Sequence, residues 1–344
     1  MKEKRLEDKE GLILIVEKEN DKRYIRAILK EGVFSPNLEW ETSYPVGLIE
    51  KIFNIKGSAW TCNEIMRDEN EAYISNSLKY DLLSYISEGD FSNKRILDFG
   101  SGCGASTSIL ARMFPDSEIV GIEYVKEYIE IAELRKEYYN FKNVNYLISP
   151  NTEELHPELG KFDFIILSGV FEHLLPIERN DLFVRIWDHL QTGGILFLNN
   201  TPHRYFPVEM HTTSGLPFLN YFPDKIAMSY SKKFSKRSLQ DHSWNELLRA
   251  GIRGGSVKEI IKILKKTSSE PVLLNPERLD VKDRIDLWYK SYGKHSYGKI
   301  KKNVLKLLKI FKFFTGIELP PYISLAIKKI DKDILHTKIK FQFV

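Results

Sequence analysis

The chain changes its hydrophobic rhythm twice, and the changes divide it into three stretches. Between Arg95 and Asn200, short apolar runs of strand character alternate with amphipathic stretches of helical period; the runs lie near 95–99, 118–123, 143–148, 162–168 and 194–200. That order predicts βαβ units and hence a parallel sheet wound on both faces, with ligands at the carboxyl ends of its strands. Ahead of it, GLILIVE and RYIRAILKEGVF flank the polar KENDK, which predicts a hairpin over residues 11–34. Pro36, Pro45 and Gly47 mark residues 36–58 as irregular, and helical periodicity runs from about Glu64 to Ser87.

Beyond Asn200 the period is lost. Residues 201–224 hold four prolines and several aromatics, the composition of an ordered loop or cap over a pocket. A helical region is expected at about 236–266, interrupted by the glycines of RAGIRGG, and LPPYISLAIKK at 319–329 reads as a late strand closing the sheet. No acidic residue lies between Trp288 and Gly316, where Lys301, Lys302, Lys306, Lys309 and Lys312 interleave with Val304, Leu307, Leu308 and Phe311. This predicts a basic amphipathic helix with a solvated lysine face and a buried apolar stripe.

Composition narrows the classes. The 344 residues exceed the roughly 150 to 200 that one such core occupies, so additional elements are expected at both ends. The opening MKEKRLEDKE is charged, unlike a secretory signal, and no run approaches the ~20 apolar residues of a membrane span, so a cytoplasmic protein is expected. Cys62 and Cys103 make neither a disulfide framework nor a metal cluster, and no metal is expected. A formal net charge of +4 is too small to imply a polyanion partner.

The chemistry concentrates in KRILDFGSGCG, Lys94 to Gly104. A buried strand turns there into the helix that resumes at Ala105. Gly100, Gly102 and Gly104, with Ser101 and Cys103 between them, let backbone amides approach a ligand at a helix N-terminus. Asp98 precedes the first glycine, and the next strand ends in Glu123, placed to accept both hydroxyls of a ribose; Tyr124 follows, placed to cover a base. Glycines alone would also fit a dinucleotide site. A carboxylate two residues before the first glycine would repel a pyrophosphate but suits the amino group and sulfonium of S-adenosylmethionine.

This loop resembles motif I of the class I S-adenosylmethionine-dependent methyltransferases, with Glu123 matching their ribose-binding acid. The resemblance extends through FDFIILSGVFEHL and TGGILFLNNTP, over about Lys94 to Pro202. It implies an α/β fold, a doubly wound, mostly parallel Rossmann-like sheet, divided as an N-terminal hairpin and helical extension (1–90), a cofactor-binding core (91–202) and a cap region with late strand and basic helix (203–344). The helix over 64–87 is expected to pack over the cofactor. The resemblance also implies that Ser168 meets the methionine half and that Phe171 and His173 border the acceptor pocket. The family's acid for the adenine amino group is absent; in LISPNTEEL, Asn151 is the nearest substitute, with Thr152 or backbone groups helping. PHRYFPVEMHT looks like a segment following the fifth strand in methyltransferase-like proteins of bacterial glycan and cell-surface biosynthesis. It brings His203, Arg204, Glu209 and His211 to the carboxyl edge, where His203 or His211 would serve as base and Arg204 would bind an acceptor carboxylate or phosphate.

Nucleic acid is not the expected acceptor. Amino-methylating enzymes of nucleic acid place an Asn or Asp before Pro-Pro and an aromatic after the fourth strand, where this chain has SGVFEH, and neither cysteine is placed as a cytosine C5 nucleophile. The expected function is methyl transfer to an oxygen, or secondarily a nitrogen, of a small molecule or sugar. The alternatives are a non-catalytic S-adenosylmethionine-binding protein and an RNA- or membrane-surface-binding protein acting through the lysine helix.

Overall fold

Ile13, Ile15, Ile25 and Ala27 alternate with less buried neighbours, and that two-residue period gives the N-terminal sheet one buried face. The computed structural model describes residues 3–151, 154–211, 213–237, 239–292 and 298–332. Strands β1 (Glu3–Glu7), β2 (Gly11–Glu17), β3 (Arg23–Leu29) and β4 (Glu39–Thr42) pair antiparallel in that order. Helices α1 (Val46–Lys56) and α2 (Ser58–Glu69) cover the apolar face, in a core that also takes in Cys103 and Ile131. The expected hairpin is thus the inner pair of a larger sheet, and residues 36–58, expected to be irregular, hold β4 and α1. Both flanking strands are short, and EKRLE has only Leu6 as an apolar position, so neither carries a readable period.

The helix expected over 64–87 is broken. After α2, Asn70 leaves helical geometry and its side chain accepts from the Ala72 amide at 3.0 Å. A wide turn follows, with Tyr73 at φ −106° and ψ −111°, before α3 (Asn76–Leu83) resumes.

The central region runs β5 (Arg95–Phe99), α4 (Ala105–Met113), β6 (Glu118–Glu123), α5 (Lys126–Tyr139), β7 (Val144–Ile148), β8 (Phe162–Ser168), α6 (Pro176–Asp188) and β9 (Leu190–Pro202). After it come α7 (Asp224–Phe234), α8 (Trp244–Arg249), α9 (Val257–Leu264), β10 (Ser269–Leu273), α10 (Arg284–Ser291), α11 (Gly298–Thr315) and β11 (Tyr322–Asp331). The sheet order is β10-β11-β9-β8-β5-β6-β7, parallel from β9 to β7, with β11 antiparallel to β9 and β10 antiparallel to β11. One face packs on α6 and α9 through Phe183, Ile186, Trp187 and Ile260, and the other on α3, α4 and α10 through Leu82, Ile109, Leu110 and Leu287. The sheet is therefore doubly wound. Strand β10 had no counterpart among the sequence expectations.

Helix α11 forms where expected, but only part of its apolar stripe docks. Of its residues only Leu308 is buried, while Leu307 is 66% and Phe314 78% exposed. Lys309 and Lys312 turn inward instead, each 2.8 Å or less from an oxygen of Asp283, and Lys312 also reaches Glu318. These ion pairs, above all with Asp283 at the start of α10, set the helix's rotation, so Val304, Leu305 and Leu308 pack on α10 while Leu307, Ile310 and Phe314 lie outside. Among the described residues no helix is long and apolar enough to cross a membrane.

Candidate functional site

Gly100, Gly102 and Gly104 adopt φ of 73°, 53° and 81°, a left-handed path that swings β5 into α4. The Gly100 and Ser101 amides both donate to the Ile122 carbonyl, at 2.9 and 3.0 Å, pinning the loop across the ends of β5 and β6. The glycines are not equivalent. A Cβ on Gly100 would lie 2.7 Å from Val170, and one on Gly104 would lie 2.6 Å from the Tyr146 hydroxyl, whereas one on Gly102 would meet nothing within 4 Å. At Gly102 the loop backbone lies bare toward open space.

Glu123, at the end of β6, faces this bare segment. Its Oε2 accepts from the Gly102 amide at 3.1 Å, and its Oε1 accepts from Tyr124 and Val125 at 2.8 and 3.1 Å. A carboxylate offers about four acceptor positions, so roughly one stays open for a hydroxyl. The Tyr124 ring beside it is 55% exposed. Asp98 is placed differently from expectation. It is 1% exposed, and its Oδ2 accepts from Ser106 at 2.7 Å and Thr107 at 2.6 Å, so it braces the first turn of α4 from behind the loop. Burial pushes its carboxyl pKa up, against the lowering by those hydroxyls. Asn151 is exposed, its Oδ1 accepting from the Glu154 amide at 2.8 Å, and Thr152 lies outside the described residues.

Ser168 ends β8, and its hydroxyl accepts from Asn200 Nδ2 at 2.9 Å. Asn200, at φ 59°, in turn lies 3.2 Å from the Ser77 hydroxyl, which donates to buried Asp81 at 2.8 Å; Ser291 donates to the other Asp81 oxygen at 2.8 Å. One polar line thus ties α3 and α10 to the ends of β8 and β9. Burial pushes the Asp81 carboxyl from the ordinary 3.8 up to about 6, beyond what the serines offset. A carboxyl whose folded pKa exceeds its unfolded one favours the fold when protonated, so its contribution is present below the unfolded value and lost as pH rises through the folded one. Asp81→Asn is therefore expected to stabilise the protein at pH 8 by on the order of 2–3 kcal/mol and to flatten its stability between about pH 4 and 6. Thermal melts across that range test this; a variant no more stable than wild type at pH 8 refutes it.

The segment after β9 carries most of the remaining residues singled out from the sequence. His203 is 7% exposed, and its Nδ1 accepts from the Tyr205 amide at 3.1 Å, so the proton sits on Nε2. Burial holds its pKa at about 4, and His203 presents an N–H donor instead of the base expected there. Arg204 has its pKa lowered to about 10 by burial and by Arg253, with Glu259 and Asp224 opposing. Glu209 locks the turn beneath it, its Oε2 accepting from the Ser214 and Gly215 amides at 2.7 and 2.8 Å. The His211 and His173 rings meet edge to face, centroids 5.0 Å apart, and burial followed by His173 lowers the His211 pKa to about 4. Phe171 does not border a pocket. It is fully buried between Phe183 and Arg179, leaving no surface for an acceptor. Two tyrosines without a sequence signal, Tyr292 and Tyr322, stack beside this segment with centroids 4.8 Å apart, and the Tyr322 hydroxyl donates to the Met210 carbonyl at 2.6 Å.

Residues 96–194, from β5 into β9, match a family described as "Methyltransferase domain". The chain carries a class I S-adenosylmethionine-dependent methyltransferase domain. The malonyl-[acyl-carrier protein] O-methyltransferase of Bacillus cereus is 29% identical over 144 residues, 41% of this chain and 51% of that protein. Its counterpart from Bacillus anthracis is 27% identical over 168 residues, 48% and 56%. The chain thus spans about half the length of these curated relatives. Among solved structures, an O-methyltransferase family protein from Burkholderia thailandensis aligns over 82% of this chain and 62% of its own, with TM-score 0.45 and 11% identity. The cofactor of the methyltransferase domain is S-adenosylmethionine, and the residues present fit it: a side-chain-free backbone at Gly102, an acid beside it with acceptor capacity left, and an exposed ring next to that acid.

One residue outside every motif governs the methyltransferase loop. Arg135 of α5 is fully buried, and its guanidinium donates to the Cys103 carbonyl at 2.6 Å, to the Glu64 carbonyl at 2.6 Å, to Glu64 Oε1 at 3.0 Å and to the Tyr44 hydroxyl at 3.0 Å. The glycine loop is therefore anchored to α2 through one cation.

Proposed function

We propose that this protein transfers a methyl group from S-adenosylmethionine to an oxygen of a small-molecule or sugar acceptor. The observation that carries the reading is the bare backbone at Gly102 held against Glu123. Bound there, S-adenosylmethionine supplies a methyl group already activated by a sulfonium. Glu123 holds the ribose through its remaining lone pair, Tyr124 covers the base, Asp98 keeps α4 and the loop in register, and Asn151 and Ser168 are lesser contacts. The described residues beyond β9 form the acceptor side. His203 donates a hydrogen bond to the acceptor, His173 and His211 face its hydroxyl, and Tyr292 and Tyr322 give flat apolar faces suited to a sugar or small ring. Alignment of donor and acceptor supplies much of the rate. The two Bacillus relatives are named O-methyltransferases, which supports oxygen as the acceptor atom. Calorimetry with S-adenosylhomocysteine tests the cofactor half: Glu123→Ala is expected to weaken binding by about 1.5–3 kcal/mol, roughly 10- to 150-fold. Unchanged affinity in a folded variant overturns the assignment. Transfer of labelled methyl across a panel of hydroxylated acceptors tests the other half, and binding without transfer to any of them favours a non-catalytic binder.

We infer as a second reading that α11 seats the protein on an anionic bilayer. Ile300, Leu307, Ile310 and Phe314 are 55–78% exposed, and Lys299, Lys302 and Lys306 are exposed along the flank of that apolar arc, the pattern of a helix resting in a membrane surface. Charge favours an anionic partner, since no acid occurs between Trp288 and Gly316. Cosedimentation with phosphatidylglycerol vesicles is expected, and to fall at least about tenfold in Leu307→Ser/Phe314→Ser, with little binding to phosphatidylcholine alone. No vesicle binding, or self-association lost in the same double variant, overturns this; so does preferential binding to RNA.

A further inference from the structure

Glu172, His173 and His211 come from two segments that meet under the cap. A carboxylate oxygen and one ring nitrogen of each histidine all lie within 4.8 Å of one another. Hydrogen bonds fix the state of both rings. His173 Nδ1 is 2.6 Å from the Arg249 carbonyl, which can only accept, so Nδ1 carries the proton and Nε2 a lone pair. The Thr213 hydroxyl spends its one hydrogen on the Ala250 carbonyl at 2.6 Å. Toward His211 Nδ1, at 3.1 Å, it can therefore only accept, which makes that nitrogen an N–H and leaves Nε2 of His211 with a lone pair too. Glu172 is 2% exposed and is steadied by Thr201, whose hydroxyl donates to Oε2 at 2.9 Å.

Each histidine thus has one nitrogen tied to a protein oxygen and the other free to bind. That is the pattern of metal-bound histidines, whose far nitrogen donates to a carbonyl or hydroxyl that orients the ring. Three acceptors drawn together in a mostly buried place repel one another until a cation joins them.

We propose that Glu172, His173 and His211 bind a divalent first-row transition ion, with Zn2+ the best match to two imidazoles and a carboxylate. Magnesium prefers oxygen ligands and fits this set poorly. Three protein ligands leave a coordination position open, as catalytic sites of this metal do. The role of the ion rests on the methyl-transfer reading above. An acceptor hydroxyl bound at the open position loses its proton to solvent more readily. The resulting oxygen forms a bond to the methyl carbon, the carbon–sulfur bond breaks, and its electron pair returns to sulfur as the neutral thioether.

The test is zinc retention by metal-stripped, full-length protein after dialysis against one equivalent of Zn2+, with Co2+ absorption reporting the ligand field. Wild type is expected to keep about one ion per chain. His173→Ala and His211→Ala are expected to lose affinity by at least roughly 100-fold, beyond the 10- to 100-fold that loss of an orienting partner alone costs. Glu172→Gln, which preserves the Thr201 bond, is expected to weaken binding less, and exposed His242→Ala not at all. No stoichiometric zinc in wild type, or full retention in both histidine variants, overturns the site. S-adenosylhomocysteine affinity measured on the same stripped samples separates the two readings: intact cofactor binding without zinc binding sinks only the metal site, whereas zinc binding without cofactor binding sinks only the methyl-transfer reading.

Discussion

Arg135→Ala is expected to lower the unfolding free energy by about 3–5 kcal/mol, the cost of breaking a buried ion pair by removing one partner. The side chain is fully buried and is the cation shared by Glu64 and by Asp68, which lies 3.5 Å away and is itself 3% exposed. Burial pushes the Glu64 carboxyl up, but Arg135, with Arg67 and Lys56, more than offsets it and holds that group below its usual range. Truncation strands two carboxylates in a low-dielectric core and removes the donor to the Cys103 carbonyl. Arg135→Met, which restores the bulk but not the charge, is expected to recover little. Urea unfolding measures this directly, and a loss below about 1 kcal/mol would show that water enters and replaces the guanidinium. Because Cys103 belongs to the glycine loop, the variant's S-adenosylhomocysteine affinity is expected to fall as well.

Gly102→Val is expected to abolish cofactor binding while the fold survives. Its side chain would enter open space, and the left-handed backbone costs a β-carbon residue roughly 1–2 kcal/mol, a melting shift of roughly 1–3 °C for a chain of this size. Yet the added carbons occupy the surface against which the ligand must lie, so affinity is expected to drop more than about 100-fold, or about 2.7 kcal/mol. Gly104 supplies the contrast. A Cβ there would lie 2.6 Å from the Tyr146 hydroxyl and 2.8 Å from the Ala132 Cβ, so Gly104→Val is expected to damage folding itself. Near-normal affinity in a folded Gly102→Val protein would place the ligand elsewhere.

The sequence made β5, β6, β8 and the apolar part of β9 readable because strands buried on both faces are continuous apolar runs, and the glycine loop marks where the first of them turns. The N-terminal sheet was half readable: β2 and β3 alternate, whereas EKRLE and EWET owe their strand character to their neighbours. The rotation of α11 was hidden, since periodicity locates an apolar stripe but not which side docks; Asp283, remote in sequence, decides that, helped by Glu318 just beyond the helix. Arg135 reads in EYIEIAELRKEYY as one more exposed helical charge, and only the fold brings Glu64, Asp68 and Cys103 around it. The histidine tautomers depend on Ala250, Arg249 and the Tyr205 amide, backbone groups whose positions no motif encodes.

Strand β9 is held on both sides, by β8 and by β11, the last described strand of the sheet. A chain stopping short of Pro320 would leave the apolar run Ile195–Leu198 as an open ladder of unpaired amides, inviting other strands to add on. It would also lose the Pro321 carbonyl that receives the His203 amide at 2.9 Å. Closure of the wall around His203 therefore waits on a strand far along the chain, since β9 is capped only once β11 has been made and has docked.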